Sequence, residues 1–227
     1  MMIERLLRSL LMHDGSKPKA WKPSIGFANE SYNKFTESGG QGYTPDGLFH
    51  FFGPDGPTGH SLAEWNKPEL WRGAFLSDLS WTAIAEDAFG YQFCMRADGR
   101  RPVVKVISLW AGDFILVGNS FEGFIRDVVL DTDGWRGFKE RYAKITGEIG
   151  MKFQALKHLA PEIPPLLAPV DQEASFKWTD SVANASLLAQ VYTQVKDLPP
   201  GATISQVIIQ PKADASSAER RASPDEG

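Results

Sequence analysis

Between Trp81 and Gly118 the chain runs through four apolar stretches joined by short turns, a spacing that leaves room for little except an antiparallel meander. In the first pair, Trp81, Ile84 and Ala85 lead into an acidic turn at Glu86-Asp87, where Gly90 is free to take a positive φ. Tyr91, Phe93 and Met95 then alternate with Gln92, Cys94 and Arg96, the pattern of a hairpin on a half-buried sheet. In the second pair, Val103 to Trp110 is apolar and rich in β-branched residues, Ala111-Gly112 turns the chain, and Asp113 to Gly118 is the return run. Leu48 to Phe52, the single apolar run within the Gly- and Pro-rich stretch 39–59, supplies a further strand.

Helical periodicity surrounds this meander. At the N-terminus Ile3, Leu6, Leu7, Leu10 and Leu11 share one helix face, while Glu4, Arg5 and Arg8 interrupt the apolar run too early for a signal peptide. Ser61-Leu62-Ala63-Glu64 has capping-box spacing, and Pro68 opens a short helix that turns Leu70, Trp71 and Phe75 toward the core. Ser120 caps a helix whose Phe121, Phe124, Ile125, Val128 and Val129 form a core-facing stripe. Trp135, Phe138, Tyr142 and Ile145 keep helical spacing up to Gly147. Met151, Phe153, Leu156 and Leu159 predict another helix before Pro161, and Leu187, Leu188, Val191, Tyr192 and Val195 a third, ended by Pro199-Pro200-Gly201. Thr203 to Ile209 predicts a closing strand, and 211–227, made of Ala, Ser and charge, predicts a disordered tail. The expected fold class is α+β: an antiparallel sheet of about five or six strands with helices against it and a helical C-terminal extension. The expected organisation is an N-terminal helix and connector over 1–30, a core over 31–130, an extension over 131–210 and the tail. The extension is either packed on the same sheet or a small second unit.

Composition bounds the function. At 227 residues the chain can bury about 70% of the surface of its unfolded form, enough for one self-sufficient core or two small ones. A lone Cys94, between Phe93 and Met95 in a predicted strand, excludes a disulfide framework and reads as a buried, inert thiol suited to a reducing cytoplasm. The formal net charge of -4 argues against a general nucleic-acid binder and is compatible with a basic protein partner. No stretch approaches the length of a membrane span.

The hairpin Ile84-Ala85-Glu86-Asp87-Ala88-Phe89-Gly90-Tyr91-Gln92-Phe93-Cys94 resembles the "FAED-FG-QF" hairpin of the SUKH superfamily, which includes yeast cell-wall assembly regulators and many bacterial immunity proteins. Further pieces agree in order. Ser31-Tyr32-Asn33-Lys34-Phe35 with Gly39-Gly40-Gln41-Gly42 resembles the family's helix and glycine-rich turn. Leu48 to Gly53, then Leu62-Ala63-Glu64-Trp65-Asn66 through Trp71-Arg72, resemble its first strand and "EWN" excursion. Ile115-Leu116-Val117 and Ser120 to Ile125 resemble its last core strand and "SFEEF" helix. The resemblance spans about 30 to 130 and implies a SUKH-like sheet and a non-catalytic, cytoplasmic binding protein, an immunity protein that neutralises a cognate toxin, often a nuclease. A regulatory scaffold is the alternative that the yeast members suggest.

For such a protein, a toxin built to hold nucleic acid presents a basic cleft, and an acidic surface with aromatic anchors can mimic its ligand. The acidic candidates are Glu86, Asp87, Glu122, Asp131 and Asp133; the aromatic ones are Trp65 and Trp71. Each has a structural reading beside it: Glu86 and Asp87 as turn caps, the tryptophans as core. Val128-Val129-Leu130-Asp131-Thr132-Asp133-Gly134 resembles the first motif of haloacid dehalogenase-type phosphatases, a magnesium-dependent alternative that Trp135, in place of that family's threonine, and the helical stripe before it disfavour. As a calcium loop the same residues would place Val129 at the first position, which supplies no side-chain oxygen. Gly39-Gly40-Gln41-Gly42 lacks the Lys-Ser/Thr of a phosphate cradle, and His13, His50, His60 and His158 show no metal-ligand spacing. No catalytic residue, metal or cofactor is expected.

Overall fold

The computed structural model describes residues 2–23, 26–98, 104–112, 114–130, 136–148, 150, 153–167, 175–199 and 202–210. Its centre is a six-stranded antiparallel sheet in sequence order, β1 (Gly42–Tyr43), β2 (Phe49–Phe51), β3 (Trp81–Asp87), β4 (Gln92–Arg96), β5 (Val104–Ile107) and β6 (Phe114–Gly118). The meander expected from the spacing of turns is therefore present, extended at one edge by the glycine-rich segment. Gly42 takes φ +96, and a Cβ there would collide with the carbonyl oxygen of Leu11, with which Tyr43 forms an isolated bridge. Helix α1 (Met2–Ser9) precedes that bridge and buries Leu6; Leu10, just past its end, is buried as well.

Both faces of the sheet are covered, so β3 is buried along its whole length rather than on alternate residues. On one face Phe51 meets Phe35 of α2 (Glu30–Glu37), and Phe93 meets Phe49 and Phe124 of α5 (Phe121–Phe124). The stripe after Ser120 is buried as expected, but only its first turn is α-helical; Ile125–Leu130 continues as a π-helical segment. On the other face lies the excursion between β2 and β3. Ser61 caps α3 (Leu62–Trp65), accepting from Glu64 N at 3.3 Å, and Pro68 opens a π-helical segment, Pro68–Arg72, that leads into α4 (Gly73–Phe75). The Asn66 side chain fastens this excursion to β3: its Oδ1 accepts from Ala83 N at 2.8 Å and its Nδ2 donates to Ala83 O at 2.9 Å, beside the bulge between Ala83 and Ala85.

The C-terminal part closes the second face. Helix α6 (Arg136–Glu148) follows the predicted spacing and buries Tyr142 and Ile145. Met151 lies outside the described residues, and over the described residues 153–159 the predicted helix is not formed: Leu156 turns at φ 63 and Lys157–Pro161 is a strand, β7, paired antiparallel with β8 (Phe176–Asp180). The apolar spacing was compatible with a helix, but strand pairing and the contact of Leu159 N with Ala88 O at 2.6 Å decide the outcome. Helix α7 (Ser181–Val195), capped by Asp180, then packs on the ribbon and on the segment 68–75, where Tyr192 stacks on Phe75 at 4.3 Å. Leu159, Phe176, Leu188 and Ala189 join the same buried cluster as the sheet. Thr203 to Ile209 does not close either sheet; it runs beside α7 without a strand partner among the described residues.

Candidate functional site

Strand register builds a dense, buried polar cluster. His50 lies opposite Glu86 across β2 and β3, and Glu86 lies opposite Gln92 across β3 and β4, so three polar side chains line up on the face that the C-terminal part covers. His50 Nδ1 stands 3.2 Å from Glu86 Oε1, and His158 Nε2, from β7, stands 2.9 Å from Oε2. Gln92 Nε2 donates to the same Oε2 at 3.1 Å, while its Oε1 accepts from the Trp65 indole at 2.7 Å. Asn184 Nδ2 of α7 donates to His158 Nδ1 at 3.1 Å, which leaves the His158 proton on Nε2, facing the carboxylate. Close by, His60 Nδ1 faces Thr58 O at 3.1 Å, so its Nε2 accepts from the Ser181 hydroxyl at 2.8 Å. Tyr43 stacks on His50 at 4.2 Å with rings 8° apart.

Glu86 is 4% exposed and His158 1%. A buried carboxylate is tolerated only when its oxygens are occupied, and here three donors occupy them. Burial pushes the Glu86 carboxyl upward, but electrostatic attraction to the His158 and His50 rings and the hydrogen bonds they make outweigh it and hold the group below the usual carboxylate range. Burial pushes the His50 imidazole down, outweighing its contact with Glu86. Both shifts act on stability with the same sign. The unfolded chain takes up a proton at His50 near its ordinary value of 6.5 and at Glu86 near 4.5, whereas the folded chain resists both. Folding stability is therefore expected to be level above pH 6.5 and to fall as the pH drops through that value, by up to about 1.4 kcal/mol per pH unit for each such group, with a steeper loss below 4.5, and the melting temperature to fall with it. Scanning calorimetry from pH 8 downward checks it; a level melting temperature to pH 5 contradicts it.

The cluster corrects the expected binding surface. Glu86 is an internal anchor between the sheet and the C-terminal part, not an exposed charge. Asp87 is 1% exposed and caps the hairpin: its Oδ1 accepts from Phe89 N and Tyr91 N, each at 3.0 Å. Trp65 and Trp71 are both 0% exposed and belong to the core, joined by the Trp71 indole donating to Trp65 O at 2.9 Å. Glu122 is exposed at the start of α5, where it accepts from the Ser31 hydroxyl. Asp131 and Asp133, with Trp135, lie outside the described residues. Cys94 is buried, its thiol pushed up by burial to about 12, which suits an inert core residue. Among the described residues no group of His, Cys, Asp and Glu has the arrangement of a metal site. No described helix is long and apolar enough to cross a membrane.

An open groove of about 840 Å³ lies between α7 and the segment 68–74. Trp71 and Leu70 form its inner side, Glu69 stands exposed at its border, and Ala189, Gln190, Thr193 and Gln194 of α7 form the opposite wall. Residues 208–210 run along its rim. The Gln194 amide grips Ile208 by both backbone groups, donating to its O at 2.9 Å and accepting from its N at 3.0 Å, and Gln190 Oε1 accepts from Gln210 N at 2.8 Å. Sequence reading assigned neither the groove nor the acid–imidazole cluster. Gln190 and Gln194 at i and i+4 were the readable signal for the former; for the latter, nothing in the sequence aligns His158 with Glu86.

No family model matches the chain, and no curated protein matches it. Among solved structures it is similar to Atu4351 from Agrobacterium tumefaciens, with a TM-score of 0.54 at 17% identity over 84% of this chain and 89% of that one. At that identity the likeness concerns the fold alone: an antiparallel α+β architecture shared along nearly the whole chain.

Proposed function

We propose that this chain is a non-catalytic binding protein of the SUKH-like immunity type, which neutralises a cognate protein toxin by seating on it. The groove between α7 and the segment 68–74 carries this reading. It is open, it is large enough for several side chains of a partner, and it joins an apolar inner side to amide groups and a border carboxylate. The Glu86 cluster supports it differently: its polar atoms bond one another, so it serves as internal structure while the groove remains open to a partner. An acidic protein whose exposed carboxylates include Glu69 and Glu122 suits a basic partner such as a nuclease, and complementary charge speeds the encounter.

Thr193 and Glu69 are both exposed and line the groove, so Thr193→Arg and Glu69→Lys can be made without entering the core. Each is expected to weaken capture of the toxin by about ten-fold or more, with the melting temperature unchanged. Titration of the purified toxin against wild type and both variants measures this. Equal affinity in all three overturns the groove as the interface. Several unrelated host proteins retained in place of one toxin would make the chain a regulatory scaffold.

A further inference from the structure

Residues 203–210 read Thr-Ile-Ser-Gln-Val-Ile-Ile-Gln, a β-branched, uncharged run without Gly or Pro. It is the sequence of a strand, yet it belongs to neither sheet. What holds it instead is a row of two side chains. The Gln194 amide offers Ile208 one donor and one acceptor, as the backbone of a neighbouring strand would, and Gln190 takes the next inward-facing N–H, that of Gln210. The spacing fits: four residues of helix rise about 6 Å and two residues of extended chain span about 6.6 Å. A segment whose residues 208 and 210 both face α7 is extended there, and extended backbone turns alternate residues to opposite edges. The N–H and C=O groups of Val207 and Ile209 therefore point away from the helix, and no described group bonds them.

The side chains agree with an unfinished strand. Ile208 is 60% and Ile209 43% exposed, and with Leu198 at 45% they make up half of the six strongly exposed large apolar residues described. Adjacent exposed isoleucines on an edge without Lys, Pro or a bulge lack the usual protection against strand pairing.

We infer that this free edge is a strand-addition site that pairs antiparallel with the same segment of a second copy of the chain. The charge pattern selects the copy over a basic partner. Nothing in 203–210 is acidic, so a cationic strand gains nothing there, whereas two identical uncharged strands meet without like-charge cost. The register is also self-consistent. With a two-fold axis at Ile208, Val207 exchanges both hydrogen bonds with Ile209 of the second copy, and Ile209 does so with Val207 of the second copy. Ile208, the most exposed apolar residue of the segment, then sits opposite itself in the closer, non-hydrogen-bonded position and is covered. This pairing uses the edge away from α7 and does not depend on the groove's binding a toxin.

Sedimentation velocity of the full chain, from low to high micromolar concentration, tests the inference. Wild type is expected to move from monomer to dimer. Val207→Pro, which removes a free-edge N–H, and Ile209→Lys, which places a charge on the pair, are each expected to abolish the dimer with circular dichroism unchanged. A wild type that stays monomeric throughout overturns the inference. So does a dimer that survives both substitutions, which would place the contact elsewhere, or a monomer whose 203–210 edge is protected from hydrogen exchange only when another protein is added.

Discussion

Replacing Glu86 with alanine is expected to lower folding stability by about 3–5 kcal/mol, read from urea unfolding of the purified chain. The magnitude follows from what the carboxylate holds. His50, His158 and Gln92 all direct donors at it, and all are buried, so its removal leaves both imidazole donors without an acceptor, leaves Gln92 Nε2 with Gly90 O alone, and opens a cavity between two layers. Each buried donor left without a partner costs about 1–3 kcal/mol, offset in part by water entering the space. Glu86→Gln keeps the volume and one acceptor oxygen but turns an amide N–H₂ toward an imidazole donor, so a smaller loss of about 1–3 kcal/mol is expected. The alanine variant should also loosen the C-terminal part first, because His158 is one of its polar links to the sheet, and amide exchange should rise in β7 and β8 before it rises in β3 and β4. A loss below about 1 kcal/mol for Glu86→Ala would show that the cluster adds little to the fold.

Trp65→Ala is expected to cost a similar 3–5 kcal/mol. Its ring is fully buried, stacked on Phe52 at 5.2 Å and edge-on to His158 at 5.9 Å, and its N–H is the donor that fixes Gln92. Two effects are combined there, and Trp65→Phe separates them. Phenylalanine retains most of the stacking but leaves Gln92 Oε1 without a donor, for an expected loss of about 1–3 kcal/mol. If Trp65→Phe is as damaging as Trp65→Ala, ring volume matters less than the hydrogen bond; if it is neutral, the reverse holds.

These two residues show where sequence reading succeeds and where it stops. The meander was legible because turns such as Asp87 to Gly90 and Ala111-Gly112 lie between apolar runs of strand length, and each turn forms as its chemistry requires. Helices with a cap and a stripe, such as the one after Ser120, were legible for the same reason. Lys157 to Pro161 was not, because a short apolar run suits a helix or a strand and only pairing with Phe176 to Asp180, across a long connection, decides. The acidic pair at 86–87 illustrates a different limit. Acidic residues at a hairpin tip are normally exposed; these are buried because a layer contributed some seventy residues later brings His158 and Asn184 over them. Trp65 and Trp71 were placed as either anchor or core, and the second covering layer makes them core. Thr203 to Ile209 has the composition of a strand and adopts the extended backbone that α7 imposes, but composition carries no information about whether a partner strand exists.

The groove between α7 and the segment 68–74 is the proposed toxin-binding surface, and capture of a partner from the native host tests it. The full chain and its Thr193→Arg variant are each used as bait in the native host, the retained protein is identified by mass, and its enzymatic activity is assayed with and without added chain. The account predicts one dominant basic protein, retained near stoichiometrically by wild type, inhibited by it, and lost from the variant. A partner held equally by both chains, or one whose activity continues unchanged in the complex, would contradict it.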